Sequence, residues 1–285
     1  MLDLLRHPRV PSFARAAVVV VLGVTTFTAV AQYRQSSSII DDITLTNLAL
    51  VMPGPVEELL SIELELPDFE SYESVEGRKE AFFEFMSPYV MAENSRIASV
   101  RAQLLPMAEV VERGLPLSDV EAQRLAKIAA DYRIDLEAIG LAEGLAELVR
   151  RVDTIPISLA LAQAANESAW GMSRFAREGN NIFGQWCFDE GCGLVPEQRH
   201  RDATHEVRAF SSVEASVSAY FRNLNTHESY ADMRGLRSDM RAQARPLDAL
   251  VLARGLLRYS ERGVSYVNEL QDIIRVNRLA ALDRS

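Results

Sequence analysis

The stretch from Pro156 to Gln185, PISLALAQAANESAWGMSRFAREGNNIFGQ, constrains this chain more than any other. Ile157, Ala160, Leu161, Ala164 and Ala165 recur at helical spacing, so its first half predicts an apolar helix. Its four alanines leave little side-chain bulk, and other helices can approach it closely on several sides. The pattern is that of a buried central helix. Pro156 suits a first helical turn, with Asp153 or Thr154 available as the cap. The helix nevertheless ends in a carboxylate, Glu167. Burying an unpaired carboxylate is costly, so that position calls for a reason. Gln163, Asn166, Glu167 and Trp170 lie three or four residues apart and can share one polar and aromatic face. Gly171 ends or bends the helix, Met172 to Glu178 predicts a short second one, and Gly179 suits its C-terminal cap. Asn180, Asn181 and Gly184 then turn the chain around Ile182 and Phe183.

An acid emerging from an apolar helix into a cleft is the setting that raises a carboxyl pKa and makes a general acid. The same residues also fit a helix-terminal Glu that is simply solvated or salt-bridged, and the chemistry alone does not choose between the two.

The motif bears on that choice. Glu167-Ser168-Ala169-Trp170-Gly171, then Ser173 and Phe175-Ala176, then Asn181-Ile182-Phe183-Gly184 resemble the bacterial N-acetylglucosaminidase family that cuts peptidoglycan, whose pattern is roughly A-x-x-E-S-x-W-G, S-x-x-A and N-x-F-G. The Cys-Phe that follows Gln185-Trp186 is similar to the Bax-like envelope proteins within that group (mannosyl-glycoprotein endo-beta-N-acetylglucosaminidase-like, glycoside hydrolase family 73). The resemblance is strong over about residues 150–275 and weaker from about residue 75.

The 285 residues fit one or two domains, and with 48% hydrophobic residues a sizeable core is affordable. A formal net charge of −10 and the lack of a basic stripe argue against nucleic acid as a partner. Residues 1–34 read as an export segment: Arg6, Arg9 and Arg15 precede an apolar run over residues 16–31. Ala29-Val30-Ala31 would serve as a cleavage site in a signal peptide, and the same run would serve as an uncleaved anchor. Either reading puts the rest of the chain in the periplasm or cell envelope, with inner-membrane contact only through this segment if it is uncleaved. Residues 35–74, punctuated by Pro53-Gly54-Pro55 and Pro67, read as a linker.

Residues 75–150 read as an N-terminal helical extension. Phe82, Phe85, Met86 and Tyr89 form a stripe that Pro88 should kink or restart, and Ile97, Val100 and Leu104 continue it. Ser118 to Glu121 is a capping box. Residues 151–285 read as the catalytic domain. Within it, Leu194 to Arg199 and Glu206 to Phe210 can pair as a β-hairpin, Ser211 to Glu214 reads as a second capping box, and Leu247 to Arg254 predicts a helix stopped by Gly255. Cys187 and Cys192, the only cysteines, lie in a loop of an exported chain, which favours a disulfide over two reduced thiols. They do not complete a zinc site by themselves, and no metal or organic cofactor is implied.

The resemblance implies a mainly α (α+β) fold, a lysozyme-like helical domain with a small β-hairpin lobe. It implies cleavage of the β-1,4 bond after N-acetylglucosamine in peptidoglycan glycan strands, with Glu167 protonating the leaving oxygen. Either a second carboxylate, Glu197 or Glu206, or the substrate's own N-acetyl group would complete the reaction. Trp170, Phe183, Trp186 and Tyr259 are the candidate substrate-binding residues, Tyr259-Ser260 with Tyr266-Val267 being similar to a family element that closes the site. A lytic transglycosylase and a non-catalytic glycan-binding scaffold are the alternatives. N-I-F-G in place of a G-L-M-Q-type segment counts against the first, and the presence of Glu167 against the second.

Overall fold

The computed structural model describes residues 66–197, 199 and 204–284. The segment expected to direct export, with its apolar run at 16–31, and the expected linker up to residue 65 lie outside the described residues. Residues 65–285 form one compact unit. No helix among the described residues is long and apolar enough to cross a membrane.

A short 3-10 turn, Phe69–Ser71, leads into α1, Val75–Glu112, whose N-terminus is capped by the Ser74 hydroxyl. Helix α1 buries Phe82, Met86, Val90, Ile97 and Leu104 along one face, which packs on α4 (Leu141–Arg151), α5 (Ile157–Glu167) and α7 (Val213–Thr226). The break expected at Pro88 does not occur, and the helix passes through both Pro88 and Pro106. An internal proline costs a helix about 3 kcal/mol, and the apolar side chains buried on both sides of each proline outweigh that cost. Helix α2, Asp119–Asp131, begins with the expected reciprocal box between Ser118 and Glu121. The four-residue α3, Leu136–Ile139, then leads into α4.

Helix α5 is the centre. Every side chain from Ser158 to Ala165 is buried, and α1, α10 (Val264–Val276), α9 (Ala249–Leu252) and the C-terminal 3-10 helix Leu279–Arg284 all pack on it. Its start corrects the expectation from sequence, because neither Asp153 nor Thr154 caps it. Asp283, from the far end of the chain, accepts hydrogen bonds from the Ser158 amide at 2.9 Å and the Ser158 hydroxyl at 2.5 Å.

Helix α6 spans Arg174–Gly179 and is capped at its start by Ser173. The left-handed residue that ends it is Asn180, at φ 51°, one position beyond the glycine expected there. The small sheet also departs from the expected hairpin. Its strands β1 (Trp186–Cys187), β2 (Gly193–Leu194) and β3 (Glu206–Arg208) are antiparallel in the order β1-β3-β2, with Val207 facing both Trp186 and Leu194. Val195 to Glu197 are not strand. Strands of two or three residues are too short to show a period of two, which is why β1 was not visible in the sequence.

Helix α7 starts from Ser212, whose hydroxyl accepts the Ala215 amide; the third helical position is thus Ala215, and the reciprocal half of the box expected from Ser211 and Glu214 is not made. Helix α8, Ala231–Ala242, follows. Gly255 does not stop a helix but lies inside the 3-10 segment Ala253–Leu256, where an added Cβ would sit 2.4 Å from the Met233 backbone. The whole is a mainly helical, lysozyme-like fold with a small β-lobe.

Candidate active site

The acid owes its place to the turn that follows it. Glu167 is the last residue of α5, and Ala169, Trp170 and Gly171 then take positive φ in succession, at 50°, 61° and 78°. Left-handed conformations cost non-glycine residues roughly 1–2 kcal/mol each, so the turn needs support. Ser168 supplies it: its hydroxyl donates to the Ala164 carbonyl at 2.7 Å and accepts the Gly171 amide at 2.8 Å. The Trp170 amide closes onto the Ala165 carbonyl at 2.9 Å. Gly171 is required twice, by its φ and by Phe69, 2.4 Å from where its Cβ would stand. The Trp170 ring packs against Phe82 and Phe83 of α1 at 6.0 and 5.2 Å, with the Lys79 ammonium 5.0 Å from its centre. Trp170, expected from sequence as a substrate residue, is half-buried and fastens the turn to α1.

The segment Asn181 to Gly184 forms the other side. The buried Asn181 side chain donates to the Gln185 and Arg208 carbonyls at 2.8 and 2.7 Å and accepts the Gln185 amide at 3.0 Å, which ties this turn to the β-lobe. Gly184, at φ 64°, passes so close to the acid that its missing Cβ position lies 3.5 Å from Glu167 Oε2. Phe183 is only 1% exposed and its ring stacks on Tyr220 at 3.8 Å, so it forms the floor and presents no face to a sugar.

Three buried side chains lead to the acid. The Tyr220 hydroxyl donates to Gln163 Oε1 at 2.6 Å, and Gln163 Nε2 donates to the Tyr266 hydroxyl oxygen at 2.9 Å. The Tyr266 proton is thereby free for the Glu167 carboxylate, to which Tyr266 is hydrogen-bonded. Tyr259 stacks parallel to Tyr266 at 5.5 Å, packs on Tyr230 at 5.6 Å and donates to the Phe183 carbonyl at 3.0 Å. Burial pushes the Glu167 carboxyl above the ordinary glutamate range. Hydrogen bonds from Tyr266 and from Asn166, at 3.4 Å, and the charge of Arg262 act against that rise, and Glu269 adds to it. Arg262 lies 5.5 Å from the centre of the Tyr266 ring and is ion-paired with Glu269. Tyr266 belongs to the element expected from sequence to close the site, whereas Arg262 and Glu269 carry no signal in the sequence. The available signal was Gln163, a polar residue one turn before Glu167 in an otherwise apolar helix.

On the β-lobe, Trp186 is 58% exposed and stacks on His205 at 4.1 Å, and Phe188 beside it is also exposed. Cys187 and Cys192 are joined in a disulfide with Cα atoms 6.2 Å apart. Glu206 is buried, and its two carboxylate oxygens accept the Gly191 amide at 3.1 Å and the Gly193 amide at 2.8 Å. Those two bonds hold its carboxyl below the usual range. Glu197, by contrast, is an exposed turn residue. The structure therefore gathers Glu167, Gln163, Tyr220, Tyr259 and Tyr266 into one site, while Trp170 and Glu206 hold the backbone on its two flanks.

The family model for glucosaminidase, described as mannosyl-glycoprotein endo-beta-N-acetylglucosaminidase, matches residues 142–279, which include all of these side chains. The chain is also similar to Protein bax of Escherichia coli (strain K12), with 35% identity over 205 residues, 72% of each chain. No solved structure matches it.

Proposed function

This chain belongs to the glucosaminidase family, and from that premise we propose that it is a peptidoglycan hydrolase cutting the β-1,4 bond after N-acetylglucosamine. The observation that carries the proposal is the half-buried Glu167, raised in pKa by burial and fixed between the Gly184 turn and the Tyr266 hydroxyl. A carboxyl whose pKa is raised by burial is suited to hand its proton to a glycosidic oxygen as the bond to the anomeric carbon breaks. The exposed Trp186 offers a flat apolar face for a sugar ring.

The second half of the reaction is better supported as assistance by the substrate. Glu206 has both oxygens committed to backbone amides, and a carboxylate of lowered pKa is a weaker base. In the proposed route the acetamido oxygen of N-acetylglucosamine bonds to the anomeric carbon as the leaving oxygen takes the Glu167 proton. Water then opens that ring and returns a proton to Glu167. The reaction would take place in the cell envelope, to which the arginine-flanked run at residues 16–31 would deliver the chain.

Mass spectrometry of products released from purified peptidoglycan tests the proposal. Reducing-end N-acetylglucosamine is the expected product. Anhydro-muramyl ends would make the protein a transglycosylase, and no product after prolonged incubation would leave a glycan-binding scaffold. In the same assay Glu197→Gln and Glu206→Gln proteins should keep most of their turnover. A loss as deep as that of Glu167→Gln, in a variant whose thermal midpoint matches the wild type, would assign that residue the second catalytic role.

A further inference from the structure

A cavity of about 370 Å³ opens between α1, α2 and α7 and shares no lining residue with the site of Glu167. Ten of its twelve lining residues precede residue 142, where the glucosaminidase match begins, so nothing about it follows from that match. Its floor is apolar: Ile97 is 1% exposed, and Ile128 and Tyr132 are each 7% exposed. Its rim is cationic, with Arg96, Arg124, Lys127 and Arg222 set against the carboxylates of Glu93 and Asp131. The chain as a whole carries a formal net charge of −10, so this concentration of positive charge is local and runs against the composition.

The carboxylate on the floor is already satisfied. Glu93 is held by Arg96 through both oxygens, at 2.8 and 2.5 Å, and by the Ser218 hydroxyl at 2.9 Å. Arg222 donates to the Asp131 carbonyl at 3.0 Å. Arg124 and Lys127 make no hydrogen bond or ion pair among the described residues. The Tyr132 hydroxyl, at the floor, likewise has no hydrogen-bond partner among the described residues. Two cations at the mouth that make no hydrogen bond, Arg124 (whose charge also acts on Glu121) and Lys127, a phenolic donor below and isoleucine walls between them match a molecule that is charged at one end and apolar at the other. The volume falls within the roughly 300–1,000 Å³ of ordinary small-molecule sites.

We propose that the cavity between α1, α2 and α7 binds a small amphipathic carboxylate, with its acid group at Arg124 and Lys127 and its apolar body on Ile97 and Ile128. The carboxylate belongs either to a free organic acid or to the C-terminus of a short peptide, and the two sources are separable by probe.

The test uses the full-length chain in detergent, labelled at its isoleucine methyl groups, and follows Ile97 and Ile128 by NMR. Hexanoate and benzoate represent free acids and N-acetyl-alanyl-alanine a peptide terminus. The neutral amide of each, together with inorganic phosphate, serves as control. At least one carboxylate should shift both methyl resonances in a saturable way, and the arm that binds more tightly names the source. Its amide and phosphate should bind at least about tenfold more weakly, and Arg124→Ala/Lys127→Ala protein should lose roughly tenfold in affinity. Both residues are exposed, so the variant should keep its thermal midpoint. Should it not, the salt dependence of the wild type decides, since raising ionic strength from about 0.05 to 0.5 M should weaken an ion-paired ligand several-fold. The proposal is overturned if no carboxylate shifts these methyls, if an amide or phosphate binds as tightly, or if binding is indifferent to salt and to the double substitution.

Discussion

Asp153 precedes helix α5 and Glu167 ends it, and both carboxyl groups are withdrawn from solvent, but their surroundings have opposite effects. Around Asp153, Arg241 donates to both oxygens at 2.8 and 3.0 Å, and Arg101 and Arg237 stand 3.7 and 3.9 Å away. Burial alone would raise its pKa, but the Arg241 hydrogen bonds and the charges of Arg237 and Arg101 outweigh burial and hold it below the usual range. Around Glu167 the nearest partners are neutral, Tyr266 and Asn166, and the cation in reach, Arg262, is itself paired with Glu269. Burial then prevails and the pKa goes up. The chain thus carries, just before the helix, an acid held in its charged form by arginines and, at the helix end, an acid whose pKa burial raises. The lesson is that burial does not by itself decide what a carboxyl does; the charge of its partners decides.

The largest expected effect comes from neutralising the proposed general acid. Glu167→Gln keeps shape and removes the transferable proton, so turnover on peptidoglycan should fall by at least about 10²–10⁴-fold. Its stability should move the other way. Glu167 has a raised folded pKa, so the wild type is most stable below the unfolded value and loses stability as pH rises through the folded one. At neutral pH the Gln protein should therefore withstand more denaturant than wild type, and the advantage should vanish in acid. Near wild-type turnover in folded Glu167→Gln protein would remove the central claim.

Asp153→Asn should do the reverse, with stability suffering first. It would leave Arg237, whose side chain is 1% exposed and whose pKa burial has pushed down to about 10, without its counter-charge. Removing one partner of a buried ion pair costs about 3–5 kcal/mol, measurable by denaturant unfolding at neutral pH. Because the folded pKa of Asp153 is depressed, its contribution is present above the unfolded value and is lost as pH falls through the folded one. The gap between variant and wild type should accordingly narrow in acid. A variant as stable as wild type at pH 7 would show that the arginines are held by their backbone carbonyl contacts alone.

Tyr266→Phe sharpens the comparison by altering the partner and leaving the acid in place. Loss of the hydroxyl takes a stabilising hydrogen bond from the Glu167 carboxylate, so its pKa should rise further and the alkaline limb of the rate profile should shift to higher pH. It also strips Gln163 Nε2 of its acceptor, at a cost of about 1–3 kcal/mol. An unshifted pH profile in a destabilised protein would reduce Tyr266 to a packing residue.

Much of this site could be read from the residues in order. The apolar spacing from Ile157 to Ala165 gave the central helix, and Glu167 with the Ser168 to Gly171 turn was legible because a helix end and its left-handed turn are local chemistry. The Ser118 cap was legible for the same reason. Less could be inferred where a residue type serves two purposes. Trp170 and Phe183 are aromatic whether they face a sugar or the core, and here they pack on α1 and Tyr220. Glu206 is acidic whether it activates water or binds amides, and here it binds those of Gly191 and Gly193.

The sequence by itself determined which helix is central, which acid stands at its end and how the chain turns away from that acid, since each depends on residues within a few positions of one another. Only the tertiary structure decided the rest: that Asp283 caps α5, that three arginines surround Asp153, that Val207 runs between Trp186 and Leu194, and that Tyr266 points its hydroxyl at Glu167. These partners are remote along the chain, and a polar side chain's pairing is set when packing brings it beside whichever group is otherwise left without a hydrogen bond.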